Sequence, residues 1–428
     1  MAPRPAPCRL LLSLLLLSAA ATRAHAGPPD LSALVERHLP ATVADRRWLH
    51  QHPELSGRED STRAYLAGRV AAIDGPVPVP GDWGLGLVYV LAGDRPGPTV
   101  LWRADMDGLP IAEDVAVPFR SIRADTLESG LVTGVMHACG HDIHMSVALG
   151  ALRILADLRR ELRGRVVFVF QPAEETGAGA EAMIAAGVLA GPFAPDRVFA
   201  LHDHPTLLAG QAAVCSGPAT ANVDGFRLTV RGTGGHGAYP HRTVDPVSLA
   251  ARMVLALNDV VAREVDPDHP AVVSIGSIHG GAKSNVIPDE VVVEATVRTR
   301  DAEARAAIQA KIERTVHGLA AAAGAPAPLL EYQLGTPAGY NDPAVASEVE
   351  AVLRRILGPE NVLTYLPGMG GEDFGRFSCE VPGMQFRLGV GRPDRAMSLH
   401  SASFDPDERS LEVGIELVAA ILLDQLER

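Results

Sequence analysis

The segment Met136-His137-Ala138-Cys139-Gly140-His141-Asp142-Ile143-His144 places three imidazoles, a thiol and a carboxylate within nine residues. Cys139 and His141 stand two apart, close enough to reach one metal ion from a loop or a helix start, as thiolate and neutral imidazole. Asp142 or Asp107 is then suited to hold the second ring nitrogen of a ligand histidine. A group of surface or helix-capping residues is the plainer alternative, although histidine this dense beside a cysteine is rare as decoration. Glu174 and Glu175 are adjacent carboxylates that repel each other unless a cation lies between them or one is protonated. Neighbours in sequence point different ways, so one can ligate metal while the other receives a proton from water, the division of labour of metal-assisted hydrolysis. Taken alone, the pair also suits the start of a helix, beside the positive end of its dipole. His202-Asp203-His204-Pro205 and Leu399-His400-Ser401 are weak signals singly and gain meaning from where they fall.

Their placement follows from the elements around them. Residues 98–104 (PTVLWRA), 165–170 (RVVFVF) and 197–201 (RVFAL) are short, continuously apolar runs. They end at Asp105-Met106-Asp107, at Gln171-Pro172-Ala173-Glu174-Glu175 and at His202, respectively. Alternating with helical segments such as 145–162, they predict strands buried on both faces of an α/β sheet. In such sheets ligands collect at the carboxyl ends of the strands. Near Gly217 the texture changes. Residues 224–231 (DGFRLTVR) alternate as a half-exposed strand does, followed by a helix over 245–263, strands over 271–280 and 290–299, a helix over 302–322 and a strand over 329–334. Two helices among alternating strands predict an inserted α+β domain. Helix and strand pieces return after residue 342, where Gly371-Glu372-Asp373-Phe374 reads most simply as a capped helix start. There is no internal repeat.

A chain of 428 residues exceeds one hydrophobic core. Its 47% apolar and 21% charged residues exclude a disordered chain. The net charge of −13 opposes nonspecific attraction to nucleic acid or anionic lipid. Arg4 and Arg9 precede an apolar run over 10–21, and Ala24-His25-Ala26 offers small residues for signal peptidase, so residues 1–26 are expected to be a cleaved signal peptide. The run is too short to span a bilayer. An exported chain, periplasmic or secreted and free of the membrane after cleavage, follows. It keeps Cys139, Cys215 and Cys379, an odd set for an exported protein. One of them is expected to do something other than form a disulfide, and a Cys215–Cys379 bridge is open from sequence.

In order along the chain come RADMDGLPI from Arg103, MHACGHDIH from Met136, FQPAEETGAGA from Phe170, ALHDHP from Ala200, GTGGHGAYPHRTVDP from Gly232, SNVIPD from Ser284, GGEDF from Gly370 and SLHSASF from Ser398. This succession resembles the M20 family of metallopeptidases, and within it the aminoacylase and hippurate hydrolase subfamily that includes plant auxin-conjugate hydrolases. The resemblance implies an α/β fold, a zinc-peptidase-like catalytic domain on a mixed sheet with an inserted ferredoxin-like α+β lid and dimerisation domain. On that pattern residues 27–217 and 336–428 form the catalytic domain and 218–335 the lid. It implies two divalent metal ions (Zn, Mn, Co or Ni) held by Cys139, His141, Glu175, His202 and His400, with Asp107 behind them and Glu174 as general base and acid. His236 and Asn285 would reach the substrate, in their own subunit or across a homodimer, and Arg298 would bind its carboxylate. His204 departs from the subfamily pattern and competes with His202, which is preferred because it follows the strand directly. The implied reaction is hydrolysis of the amide bond of small N-acyl amino acids. A dipeptidase or carboxypeptidase on the same metals is the alternative within the family, and an exported metal-containing binding protein the alternative outside catalysis. The intact Glu174 argues against the latter.

Overall fold

Strand Gly383–Gly391 is buried along its whole length, and Arg95–Asp105 and Arg163–Gln171 are buried over their carboxyl-terminal halves. This is the consequence of continuous apolar runs that need cover on both faces. The computed structural model describes residues 30–428. The expected signal peptide, residues 1–26, lies outside them. No described helix is long and apolar enough to cross a membrane.

The large sheet has eight strands in the order Val77–Pro78, Leu87–Ala92, Arg163–Gln171, Arg95–Asp105, Arg197–Leu208, Gly383–Gly391, Ala212–Val214 and Val362–Thr364. Arg95–Asp105 runs parallel to both its neighbours, and Gly383–Gly391 runs parallel to Arg197–Leu208. Leu87–Ala92 and Ala212–Val214 are antiparallel to their partners in the sheet's interior, so the sheet is mixed, as expected. Side chains alternate between two cores. Val100, Trp102 and Ala104 point into one, against helices His141–Asp157 and Arg409–Leu426, while Leu101 faces a smaller one closed by Phe374 and Phe377.

Several boundaries differ from expectation, two of them beside the site, and the helix expected to reach residue 162 ends at Asp157. Strand Arg197–Leu208 does not stop at His202 but continues through Asp203 and His204, paired to Gly383–Gly391. The apolar run ends earlier because the last residues line an open cavity rather than a core. The helix expected from residue 145 starts at His141, the first residue after the left-handed Gly140 (φ 81°).

Residues 222–333 form a second, four-stranded antiparallel sheet in the order Ala271–His279, Glu290–Thr299, Asn222–Arg231, Leu329–Gln333. Helices Pro246–Glu264 and Ala302–Ala322 complete a βαββαβ succession. Phe226, Leu228 and Val230, two apart on their strand, enter a separate core with Met253, Leu257, Ile308 and Ile312. Asp245 and Asp301 cap the helices by accepting from Val247 N and Ala304 N. The chain enters and leaves this unit side by side, with Gly217 paired to Asn341 and Pro218 to Tyr340.

Cys139, Cys215 and Cys379 are all free thiols. The Cys215–Cys379 bridge is not formed. Cys215 Sγ lies 3.4 Å from Asn341 Nδ2, and Cys379 Sγ donates to Ala338 O.

Candidate metal centre

Three parallel strands bring residues from their carboxyl-terminal parts, or from just beyond them, to one end of the sheet. Asp105 and Asp107 come from the first, Glu174 and Glu175 from the second, and His202 from the third. Two tight turns aim the remaining donors. A side chain at Gly140 would put its Cβ 2.2 Å from Asp203 Oδ2, so only glycine lets Cys139 and His141 approach this strand. Ala173 (φ 55°) and His400 (φ 57°) are the described non-glycine residues with positive φ. Such a conformation costs roughly 1–3 kcal/mol, and both instances flank or belong to the candidate donor group.

The donors form a connected group. Cys139 Sγ lies 3.3 Å from His400 Nε2 and 3.7 Å from His202 Nε2. Glu175 Oε1 lies 3.5 Å from His400 Nε2 and 3.9 Å from His141 Nε2, and Glu174 Oε2 is 4.0 Å from that same nitrogen. His141 and His202 are each oriented from behind. Asp107 Oδ1 takes His141 Nδ1 at 3.2 Å, while Oδ2 accepts from Ser56 Oγ at 2.6 Å and Glu175 N at 2.9 Å. His202 Nδ1 donates to the Asp203 carbonyl at 2.8 Å, which turns Nε2 towards Cys139. His204 belongs to no such group. Its Nδ1 accepts from Thr206 Oγ1 and its ring lies edge-on to Tyr365, so His202 is the histidine beside the thiol.

The residues fit a cationic occupant. His141 Nε2 and Glu175 Oε1 are buried and have no hydrogen-bond partner among the described residues. Burial pushes the Cys139 thiol well above its usual range, and Glu175 and Asp203 add to this against the pull of His141. Burial, with help from Asp107, raises Glu175 to about 7. Burial opposes charge on His141 too, yet Asp105, Asp107 and Cys139 hold its pKa well above the ordinary value. A thiol and carboxyls crowded and starved of positive charge are relieved by a bound cation, which favours thiolate, carboxylate and neutral imidazole together.

Glu174 stands at the edge of this group, accepting from Asp373 N at 3.4 Å. Burial and the neighbouring Glu372 and Asp373 push its pKa well up. Asp373 stands at the N-cap position of helix Phe374–Glu380, but its side chain makes no capping bond. Its carboxylate instead takes Arg103 Nη2 at 2.5 Å, Gln171 Nε2 and Ala180 N, and it is Glu372 that accepts from Phe374 N. The segment is thus the capped helix start that was expected, with Glu372 rather than Asp373 supplying the side-chain acceptor. An acid so placed serves as support for the site because the buried Arg103 needs counter-charge, and Arg103 also bonds Asp105 and Glu372. Arg103→Met should cost about 3–5 kcal/mol, since it leaves buried carboxylates unpaired. Urea denaturation measures the loss, and an unchanged midpoint would contradict this account.

Sequence reasoning passed over several neighbours. His144, inside the histidine-rich segment, bonds Asp105 at 2.6 Å and Asp203 at 3.3 Å, behind the donors. Arg387 and Tyr365 line the same cavity of about 640 Å³, as does Arg298. Arg298 is partly tied back, donating through Nη1 to Thr296 and to Val297 O. His236 and Asn285 do not reach this cavity within one chain. They lie exposed on the short ribbon that pairs Gly235–His236 with Val286–Ile287, where His236 Nδ1 accepts from Ala238 N.

The model of peptidase family M20/M25/M40 matches residues 101–424. This chain is an M20-family member. Among similar proteins, thermostable carboxypeptidase 2 of Saccharolobus solfataricus is 37% identical over 86% of this chain and 91% of its own length. An N-acetyldiaminopimelate deacetylase of Brevibacillus brevis is 35% identical over 87% of this chain and 95% of its own. A dinuclear metal-binding M20 peptidase from Bacillus subtilis superposes with a TM-score of 0.79 at 31% identity, covering 92% of this chain and 99% of that one. The M20 chain is accordingly a metal-dependent amide hydrolase that takes divalent ions and acts on small amide or peptide substrates, which sets aside the binding-only alternative.

Proposed function

We propose that the protein hydrolyses the amide bond of N-acyl amino acids to a carboxylic acid and a free amino acid, as a member of the aminoacylase and hippurate hydrolase subfamily. The observation that carries this reading is the adjacent pair Glu174 and Glu175, whose carboxyl oxygens lie 4.0 and 3.9 Å from His141 Nε2, so that one can hold metal while the other takes a proton. In this reading two divalent ions, Zn, Mn, Co or Ni, are held by Cys139, His141, Glu175, His202 and His400, while Asp107 fixes the His141 ring. Bound there, they supply Lewis acidity towards water and the scissile carbonyl. Glu174 accepts the proton released from water on Oε2 and delivers it to the departing amine nitrogen. Its high proton affinity in this acidic pocket suits both halves of that transfer.

Residues 218–335 act as a lid in this proposal, with Arg298 binding the α-carboxylate of the amino acid. His236 and Asn285, lying outside their own chain's cavity, are assigned to a partner subunit's cavity, where His236 donates to the developing oxyanion. The protein is exported through residues 1–26 to the periplasm or the medium.

A panel of N-acetyl, N-benzoyl and free-amine dipeptide substrates, run with each of the four metals, tests the reaction. Turnover of the acylated compounds and not of free-amine dipeptides is expected. The opposite pattern would transfer the site to the peptidase reading, which the carboxypeptidase relative favours. Arg298→Ala should raise KM for acyl amino acids about 10-fold or more with kcat less affected, through loss of a charged hydrogen bond of roughly 1.5–3 kcal/mol. An unchanged KM removes Arg298 from substrate binding.

A further inference from the structure

Four arginines are buried among the described residues: Arg46, Arg103, Arg153 and Arg387. Three have carboxylate partners, Arg46 with Asp142 at 2.9 Å, Arg103 with Asp373 at 2.5 Å and Arg153 with Asp45 at 2.5 Å. Arg387, only 8% exposed, has a side chain that makes no ion pair or hydrogen bond with any described residue. Its guanidinium lies over the Tyr365 ring, 4.9 Å from the centroid, and lines the cavity of the metal-binding donors. Its nitrogens are absent from the buried atoms that lack partners, so they keep access to solvent through that cavity. A guanidinium withdrawn from bulk water, held by a ring face and left without counter-charge, has its planar fork free for a carboxylate.

Register places this fork beside the chemistry. Arg387 pairs with His202 across two parallel strands, so the two side chains share a face of the sheet about 4.8 Å apart at the backbone. Arg298 enters the same cavity from the second sheet, and it too has no carboxylate within ion-pair distance among the described residues. The cavity thus holds two guanidinium groups from two units, neither neutralised by the chain's own acids.

We propose that Arg387 binds a second carboxylate of the substrate, distinct from the α-carboxylate of the leaving amino acid, so that the preferred substrates are N-acyl amino acids carrying two carboxylates. This deepens the acyl-amino-acid reading and rests on it. The second carboxylate sits either on the acyl chain, as in N-succinyl-alanine, or on the amino-acid side chain, as in N-acetyl-glutamate, and the experiment separates these two.

The test compares N-succinyl-alanine, N-acetyl-glutamate and N-acetyl-alanine with metal-loaded wild type, Arg387→Met and Arg387→Lys. One of the dicarboxylates should have the highest kcat/KM in wild type. Arg387→Met should lower that value by about 30-fold or more, the cost of truncating one side of a buried charged pair, while changing N-acetyl-alanine less than threefold. Arg387→Lys, which keeps the charge and loses the fork, should fall between. Equal losses on all three substrates, or no dicarboxylate preference, overturn the proposal while leaving hydrolysis of N-acyl amino acids standing. Calorimetric binding of the same compounds to metal-loaded Glu174→Gln, with and without Arg387→Met, gives a readout independent of turnover. Arg387-dependent binding without cleavage of any compound by wild type would sink the reaction and keep the carboxylate site. A thermal melt of Arg387→Met within a few degrees of wild type excludes a folding defect, and if it melts lower, the Arg387→Lys series decides.

Discussion

Glu174→Gln is expected to keep its metal and lose about 100- to 10,000-fold in kcat, the usual contribution of a positioned proton-transfer group. Glutamine retains the size of the side chain and an oxygen that accepts from Asp373 N, so the wall formed by Asp373 and Glu372 has no cause to move. What disappears is a basic oxygen near His141 Nε2. Burial and the nearby Glu372 and Asp373 raise the proton affinity of this carboxyl, so a proton taken from water is held long enough to be handed on. Elemental analysis alongside turnover separates the proposed role from a ligand role. Loss of metal would make Glu174 a ligand, and full turnover with metal retained would remove it from the reaction.

Cys139→Ala should show the reverse pattern, with metal content falling and activity falling with it. Cys139 Sγ lies 3.3 Å from His400 Nε2 and 3.7 Å from His202 Nε2, so its removal takes away the group that stands between these two imidazoles. Loss of a partner that merely orients a ligand typically weakens metal affinity by roughly 10–100-fold, and removal of the central ligand should exceed that. Raising the metal concentration should restore part of the activity, because Glu174 and the cavity are untouched. Undiminished affinity in a competition with a chelator would show that the thiol is not a ligand. The metal-free thiol also gives a pH signature. Burial raises its folded pKa, so ion capture, which needs the thiolate, should weaken progressively as pH is lowered.

Much of this centre was legible because its residues follow apolar runs. Glu174 and Glu175 could be placed at a sheet edge from RVVFVF alone, and Cys139 and His141 from their density of donors. What could not be read were relationships across strands. Arg387 lies in MQFRLGV, where it looks like a break in a buried run, and its place opposite His202 exists only through pairing between strands far apart in sequence. Asp373 likewise resembles a helix cap by spacing, and its carboxylate turns away from the helix to Arg103, Gln171 and Ala180, which are far off in sequence. The βαββαβ succession of residues 222–333 was readable because alternation and capping are local, whereas the distance of His236 and Asn285 from their own cavity depends on how that unit packs.

Strand Gly383–Gly391 lies between Arg197–Leu208 and Ala212–Val214, two strands that follow each other directly along the chain. During synthesis those two emerge with a vacant slot between them, and everything from the second sheet onwards must be translated before its occupant exists. Until then both flanking strands present bare backbone, the kind of edge on which nascent chains stick to one another. The last histidine, His400, emerges later still, so a ribosome-bound chain carries these bare edges through about two fifths of its elongation and gains the last of its proposed metal ligands only near release. Chaperone dependence should therefore concentrate in the window after Val214 is made and before Gly391 is.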